Sequence, residues 1–299
     1  MSVKTKRVIL ALFLSVFLIF PTAILACPYS SILAFGDSLS DNGYYQGYPG
    51  GTPGNINPSD IYGFRRFSNG PVWVEYLAQG YGLSLLDMAY GGATSGYNNP
   101  AAGLSYTGLQ WQVATYAGTF GTISSDTLIT VWAGGNDMLN YATNPALYNP
   151  VTAAVNVATA IQSLYAIGGR NFIVPNLTWN AITDPTLLAG AIAWMTPFNY
   201  YLDLYLQGPD AIPGVNIYEI DLTQFYYVGL NYNGTVTNPN GETGPFANYD
   251  LVHPSTEGHL QIAGYVASEV PVPEPATMLL LVSGLIGLAG YGRKKFFKK

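Results

Sequence analysis

Short apolar runs alternate with longer segments of helical periodicity through most of the chain, and this alternation limits the possible folds more than any other feature. Short apolar runs bounded by turn residues predict buried strands. The predicted strands are Ser31–Phe35, Ser84–Met88, Thr127–Trp132, Asn171–Val174 and Val215–Ile220. The predicted helices are Pro71–Gln79, Leu104–Phe120, Val151–Tyr165, Thr186–Leu206 and Ser255–Ser268. Strands that alternate with helices indicate one α/β domain whose central parallel sheet is covered on both faces.

Charge is distributed unevenly along the chain. The sequence has 11 Lys and Arg against 17 Asp and Glu. Most of the positive residues lie at the two termini, and only Arg65, Arg66 and Arg170 lie between them. The body is therefore acidic and repels phosphate backbones and anionic lipid surfaces. This balance argues against nucleic-acid binding.

The N-terminal segment has the layout of a secretory signal peptide. Lys4, Lys6 and Arg7 precede an apolar run over residues 8–20, and small residues follow as far as Ala26. A buried N-terminal helix is the alternative. Cys27 is the one cysteine, which excludes an intrachain disulfide and a cysteine-rich zinc site, and its lipidation after Ala26 is a minority option.

The C-terminal segment combines Pro273-Glu274-Pro275, an uncharged stretch over residues 276–292 and a basic tail. This order resembles the bacterial PEP-CTERM sorting signal. The resemblance implies that a transmembrane helix holds the protein in the inner membrane until an exosortase cleaves near the motif. A permanent membrane anchor is the alternative. The expected division is a signal peptide at 1–26, an α/β domain at 27–271 and a sorting signal at 272–299.

The segment FGDSLSDNG at residues 35–43 follows the first predicted strand. Chemistry in open parallel sheets gathers at the carboxyl ends of the strands. Ser38 stands where a helix would begin, and a helix N-terminus offers unpaired backbone N–H groups that stabilise a negatively charged oxygen. Ser38 is thus a candidate nucleophile, although a Gly-Asp-Ser turn by itself is more often a helix cap.

The segment YDLVHPSTEGH at residues 249–259 contains both histidines of the chain. Asp250 and His253 are three residues apart at the start of a predicted helix, so one turn can bring the carboxylate to an imidazole nitrogen. The carboxylate would fix the tautomer and leave the other nitrogen free to accept a serine proton. His259 is rotated away from His253 on a helix and is expected to be structural.

The segments DMAYGGATSG and VWAGGNDML follow the second and third predicted strands. The glycines at Gly91-Gly92 let the backbone approach a substrate closely, and Asn136 can direct its side-chain amide into the same space. They are therefore candidate donors to an oxyanion. Simple turn geometry is the alternative for each glycine pair.

The four segments, in this order, resemble the GDSL esterase/lipase family of SGNH hydrolases, and RFSNGPVWVEYLA at residues 66–78 resembles the continuation of the first block. The resemblance implies a flavodoxin-like three-layer α/β/α sandwich. It implies Ser38 as nucleophile, His253 as base and Asp250 as the residue that orients His253. It assigns the oxyanion hole to the backbone N–H groups of Ser38 and Gly92 and to the Asn136 side chain. The second block departs from the family pattern in having Asp87 where Asn is common.

Asp37 and Asp137 flank these blocks and are expected to brace loops by accepting backbone N–H bonds. No further His or Cys completes a metal site, so neither a metal nor another cofactor is expected.

The predicted reaction is two-step acyl transfer to water. Candidate substrates are simple carboxylic esters first, then lipids or phospholipids, then exported polysaccharides from which acetyl groups would be removed. The loop at residues 44–60 and the aromatic stretches at 194–205 and 225–232 are candidate walls of the substrate pocket. A non-catalytic exported surface protein on the same scaffold is the alternative from another class.

Overall fold

A computed structural model describes residues 27–43, 66–101, 105–179, 182, 185–226, 235–237, 243–245 and 253–270. Tyr29–Pro271 is one compact unit. The predicted signal peptide, the sorting signal with its apolar stretch, the loop at 44–60 and Asp250 lie outside the described residues. In the described part of the chain, no helix combines the length and the apolar character needed to cross a membrane.

A parallel sheet of five strands forms the centre of the domain, in the order β2-β1-β3-β4-β5. The strands are β1 (Ser31–Gly36), β2 (Ser84–Asp87), β3 (Thr127–Trp132), β4 (Asn171–Pro175) and β5 (Asn216–Ile220). Residues of β3 and β4 are buried throughout, as expected for continuous apolar runs between two helical layers. All five strands lie where the apolar runs predicted them.

Six helices are described: α1 (Trp73–Tyr81), α2 (Leu109–Phe120), α3 (Gly135–Asn140), α4 (Pro150–Ala166), α5 (Pro185–Asp210) and α6 (Thr256–Glu269). Short strands β6 (Thr235–Thr237) and β7 (Thr243–Pro245) form a separate antiparallel pair. The sequence did not predict α3, β6 or β7. Helix α4 begins at the predicted place because Asn149 caps it, with its side chain accepting the N–H of Thr152 at 2.8 Å.

The strand order explains how the helices cover the sheet. The chain moves from β1 to β2 in one direction and from β2 through β5 in the other, so right-handed crossovers place α1 on one face and α2, α4 and α5 on the opposite face. In agreement, α1 packs against α6, while α4 packs against α2 and α5. The predicted flavodoxin-like three-layer α/β/α sandwich is confirmed. The order reverses beside β1, where such folds place their ligands.

Candidate active site

Ser38 lies just beyond β1, and the backbone there is held tightly. Gly36 has φ +153°, and a Cβ at this position would stand 2.3 Å from the carbonyl oxygen of Trp132. The side chain of Gln112 accepts the N–H of Gly36 at 3.0 Å and donates to its carbonyl at 2.7 Å. The backbone that leads into the serine is therefore fixed on both sides of Gly36.

The residues after Ser38 form a turn rather than the helix that the sequence predicted. The N–H groups of Ser40 and Asp41 both donate to the carbonyl of Asp37 at 3.0 Å, and no helix follows within the described residues up to Gly43. Even with a single turn, the backbone N–H of Ser38 can still donate to an oxygen of the substrate. Among the residues that the structure describes, neither the N–H of Ser38 nor that of Gly92 donates a hydrogen bond within the protein.

His253 meets Ser38 across the site, although 215 positions separate them in the chain. The Nε2 atom of His253 lies 2.8 Å from the Ser38 hydroxyl oxygen. His253 is not part of a helix, which corrects the sequence prediction: α6 begins only at Thr256, after its cap Ser255. The physical reason is Pro254, because a residue before proline is disfavoured in the α conformation.

The segment at residues 66–70 fixes His253 from the side. The ring of Phe67 lies 5.2 Å from the imidazole, centre to centre. The buried hydroxyl of Ser68 donates to the carbonyl of Pro254 at 2.8 Å, and the Asn69 side chain accepts the N–H of Thr256 at 2.8 Å. The sequence pointed to this segment only through its resemblance and did not assign these contacts.

Gly92 and Asn136 line the same pocket as Ser38 and His253. Gly92 has φ +81°, and a Cβ there would come within 2.5 Å of the side-chain oxygen of Asn99. Asn136 donates one amide hydrogen to the carbonyl of Ala93 at 3.0 Å, and its second amide hydrogen has no acceptor among the described residues. The structure thus brings together four of the five predicted site residues, while Asp250 lies outside the described part.

Buried carboxylates surround these donors. Asp137 accepts the N–H of Ser95 at 2.7 Å and its hydroxyl at 2.8 Å, while Asp37 accepts the N–H of Leu39 at 3.0 Å. These contacts agree with the predicted bracing of loops. Burial raises the pKa of Asp37 to about 7 and that of Asp137 to about 6.

Two further carboxylates have roles that sequence reasoning missed. Asp41 accepts the N–H of Gly91 at 2.7 Å, and Asp87 accepts the N–H of Asn42 at 3.0 Å. They tie the loop of Ser38 to the loop of Gly92. Burial raises the pKa of Asp87 well above its usual value, and the neighbouring Asp41 adds to this effect. The Asp41-Asn42-Gly43 sequence was an available signal, since Asp before such a turn often bonds its own backbone two residues on.

His259 is buried in α6 and accepts the N–H of Trp73 at Nδ1, at 3.3 Å. Burial lowers its pKa to about 3, so it remains neutral at physiological pH. Its contact with α1 fits the structural role that was expected. In the described ranges, no cluster of three His, Cys, Asp or Glu side chains has an arrangement that could hold a metal ion.

The aromatic stretches contribute less to the pocket than expected. Phe225 and Met195 line it, whereas Trp194 packs on Phe198 and donates its indole N–H to the carbonyl of Tyr148. Tyr200 is 62% exposed. Of the predicted aromatic walls, Phe225 therefore stands at the pocket, and residues 227–232 lie outside the described part of the chain.

The sequence is similar to a known enzyme family and to a known sorting motif. Residues 32–266 match the GDSL-like Lipase/Acylhydrolase family, and residues 271–294 match the PEP-CTERM protein-sorting motif. Phosphatidylcholine-sterol acyltransferase of Aeromonas hydrophila is 37% identical over 203 residues, which cover 64% of this chain and 59% of that protein. Acetylajmalan esterase 2 of Rauvolfia serpentina is 30% identical over 199 residues, which cover 51% of this chain and 54% of that protein.

The chain spans little more than half the length of these two relatives. Among solved structures, the native aryl esterase of M. smegmatis is 16% identical, with a TM-score of 0.47 over 81% of this chain and 100% of that chain.

Proposed function

Because the chain belongs to the GDSL-like lipase/acylhydrolase family, as its motifs predicted, we propose that it hydrolyses carboxylic esters with Ser38 as the nucleophile and His253 as the base. The observation that carries the proposal is the distance of 2.8 Å between the Ser38 hydroxyl and Nε2 of His253. A serine hydroxyl is a weak nucleophile unless an adjacent base removes its proton, and this distance permits the transfer.

The reaction proceeds in two steps, acylation of Ser38 and hydrolysis of the acyl-enzyme. Ser38 attacks the ester carbonyl carbon while His253 takes the hydroxyl proton. The bond to the alcohol then breaks, His253 protonates the departing alcohol, and the acyl group remains on Ser38 as an ester. Water attacks this ester in the same way, so the carboxylic acid leaves and Ser38 regains its proton. The chemistry uses only protein groups and water, so the proposal includes neither a metal nor another cofactor.

Negative charge develops on the carbonyl oxygen in both steps. We assign its stabilisation to the N–H groups of Ser38 and Gly92 and to the side-chain amide of Asn136. Support comes from the common pocket and from the hydrogen bonds that hold the neighbouring loops. Asp250 is proposed to orient His253, as the family resemblance implies.

The proposal also covers the segments of the chain and the location of the protein. We propose a signal peptide at 1–26, the hydrolase domain at 27–271 and a sorting signal at 272–299, with the apolar stretch at 276–292 as a helix that tethers the precursor to the inner membrane. The match of residues 271–294 to the sorting motif supports export by a bacterium to its surface or surroundings. An exosortase-type enzyme is then the processing partner, and a small ester, a lipid or an acylated carbohydrate is the substrate.

Replacement of Ser38 by Ala tests the catalytic assignment. With p-nitrophenyl acetate and butyrate, Ser38→Ala should lower kcat on the order of 10⁴-fold or more, because it removes the atom that forms the acyl-enzyme. Ser268→Ala, at an exposed serine of α6, is the matched control and should keep full activity. Retained hydrolysis by folded Ser38→Ala protein would overturn the assignment.

A fluorophosphonate probe separates the enzyme from a non-catalytic scaffold. The probe should label the parent protein and the Ser268→Ala variant but not Ser38→Ala. Absence of labelling in the folded parent protein would favour the non-catalytic alternative.

A further inference from the structure

The pocket that contains Ser38 continues away from the reacting atoms along the carboxyl edge of the sheet. Among the described residues, its lining beyond the site includes Leu177, Thr178 and Ile182 after β4, Leu222 and Phe225 after β5, and Leu187 and Met195 on α5, with Ile262 of α6 on the side of His253. None of these side chains is charged, and Thr178 is the one among them that carries a hydrogen-bonding group. The region therefore favours an apolar part of the substrate, because a buried polar group without a partner is costly.

The asparagines near the ends of β4 and β5 form hydrogen bonds around Leu177 and Leu222. Asn176 donates to the carboxylate of Asp221 at 2.9 Å and accepts the N–H of Leu222 at 2.8 Å. The Asn199 side chain accepts the N–H of Leu177 at 3.0 Å and donates to its carbonyl at 2.8 Å. The two leucines are thereby held with their side chains at the pocket.

The layers of the sandwich indicate which side of the ester this region receives. His253 must reach the leaving alcohol, and it stands directly before α6, on one face of the sheet. Leu187 and Met195 belong to α5, on the opposite face. An ester with its carbonyl at Ser38 and its alcohol at His253 thus directs its acyl chain toward α5.

The size of the cavity limits that chain. The volume of the whole pocket, including the space at Ser38, Gly92 and Asn136, is about 210 Å³. An apolar cavity of roughly 150 Å³ is large enough to bind benzene, which has six carbons. By the same proportion the pocket accommodates about eight non-hydrogen atoms, so it receives an acyl chain of about six to eight carbons when the carbonyl carbon at Ser38 is counted.

We propose that the enzyme is specific for esters of medium-chain fatty acids, of about six to eight carbons, and that Met195 and Leu187 set the preferred length. This inference rests on the proposed function. It excludes acetyl groups as the preferred acyl group, since an acetyl group leaves the apolar walls without contacts. Each methylene that is buried in the transition state raises kcat/KM about fourfold. Acetate and octanoate differ by six methylenes, so kcat/KM for p-nitrophenyl esters should rise on the order of 10³-fold from acetate to octanoate.

Two isomeric esters decide between the acyl and the alcohol side. Methyl octanoate and heptyl acetate have the same composition, and titration of the released acid measures the hydrolysis of both. We expect kcat/KM to be at least tenfold higher for methyl octanoate. Equal values, or a preference for heptyl acetate, would overturn the proposal even though Ser38-dependent hydrolysis persists. Loss of hydrolysis of every ester would instead overturn the proposed function.

Substitution of Met195 or Leu187 tests whether these two residues set the preferred acyl length. Met195→Trp fills the cavity and should lower the ratio of kcat/KM for methyl octanoate to that for heptyl acetate at least tenfold. Leu204→Trp places the same side chain on the exposed surface of α5 and should leave the ratio unchanged. Met195 is buried, so Leu187→Trp, at a half-buried position of the wall, serves as a second variant if the first does not fold. An unchanged ratio in a folded wall variant contradicts the assignment.

Discussion

The two halves of the pocket are built from opposite kinds of side chain. The polar half contains Ser38, Gly92 and Asn136, which come from the segments at residues 36–43, 87–95 and 133–137 at the carboxyl ends of β1, β2 and β3. The apolar half lies beyond β4 and β5, and its walls include Leu177, Leu187, Met195, Leu222 and Phe225. Four buried carboxylates lie in the segments around the polar half, namely Asp37, Asp41, Asp87 and Asp137, and no carboxylate among the described residues lines the apolar half.

This difference separates two requirements of an esterase. The reaction needs donors at fixed positions, and buried carboxylates hold the loops that carry them. Choice of substrate needs only a cavity of suitable size, which apolar walls supply without directional bonds. The polar half lowers stability, because burial of carboxylates disfavours their charged form. Changes there should affect the turnover of every ester, whereas changes in the apolar half should affect the choice among esters.

The largest effect that we expect in the polar half is a dependence of stability on pH. The pKa of Asp37 is raised from 3.8 to about 7, so the folded state binds this proton more tightly than the unfolded state. Protonation of Asp37 therefore favours folding below about pH 4, and this stabilisation is lost as the pH rises to about 7. The full loss is about 4 kcal/mol, from ~1.4 kcal/mol per pKa unit.

Asp37→Asn should remove this loss, since an amide oxygen can still accept the N–H of Leu39. In urea titrations the variant should match the parent protein near pH 4 and exceed it in unfolding free energy by up to ~4 kcal/mol at pH 8. Glu269→Gln, at the exposed end of α6, is the control and should keep the parent dependence of unfolding free energy on pH. A parent-like slope in Asp37→Asn would show that the burial of this carboxyl does not control the pH dependence.

Asn136→Ala should lower kcat on the order of 10²- to 10³-fold, the usual loss for one oxyanion donor. The loss should be equal for acetate and octanoate esters, because the carbonyl oxygen is common to both. Asn144→Ala, at an exposed asparagine shortly after α3, should leave kcat unchanged. A loss that varies with acyl length, or one confined to KM, would place Asn136 in substrate binding rather than in the oxyanion hole.

The fold could be predicted from the sequence because its strands are continuous apolar runs. Thr127–Trp132, for example, was predicted with the bounds that β3 has in the structure. Some helix boundaries in the structure differ from the predicted ones. Helix α2 begins at Leu109 rather than at Leu104, and α3 is too short to show a periodic pattern. The turn after Ser38 was predicted as a helix start, since a local pattern of apolar residues does not distinguish one turn from several.

The site was predictable to the extent that family motifs mark it. Local patterns alone did not pair Ser38 with His253, because contacts between distant segments depend on the strand order, and the resemblance supplied that pairing. Contacts between loops carry no motif of their own. The bond from Asp41 to Gly91 and the support of Pro254 by Ser68 therefore became known only from the structure.

The smallest effect that we expect follows from replacement of Ser68, which bonds to the residue after His253. Ser68→Ala removes the hydrogen bond to the carbonyl of Pro254 and leaves that carbonyl without its donor, which should cost about 1–2 kcal/mol in unfolding free energy. Pro254 follows His253 directly, so the imidazole loses part of its support, and kcat should fall several-fold, equally for short and medium acyl chains.

Ser268→Ala is the matched control, because this exposed serine also donates to a backbone carbonyl, that of Tyr265. Water can replace its bond, so we expect a change of less than about 0.5 kcal/mol and unchanged kcat. If Ser68→Ala lowers stability but leaves kcat at the parent value, then Phe67 and the backbone at Pro254 hold the imidazole without the serine. The support of His253 by the segment at 66–70 would then be a matter of packing rather than of hydrogen bonding.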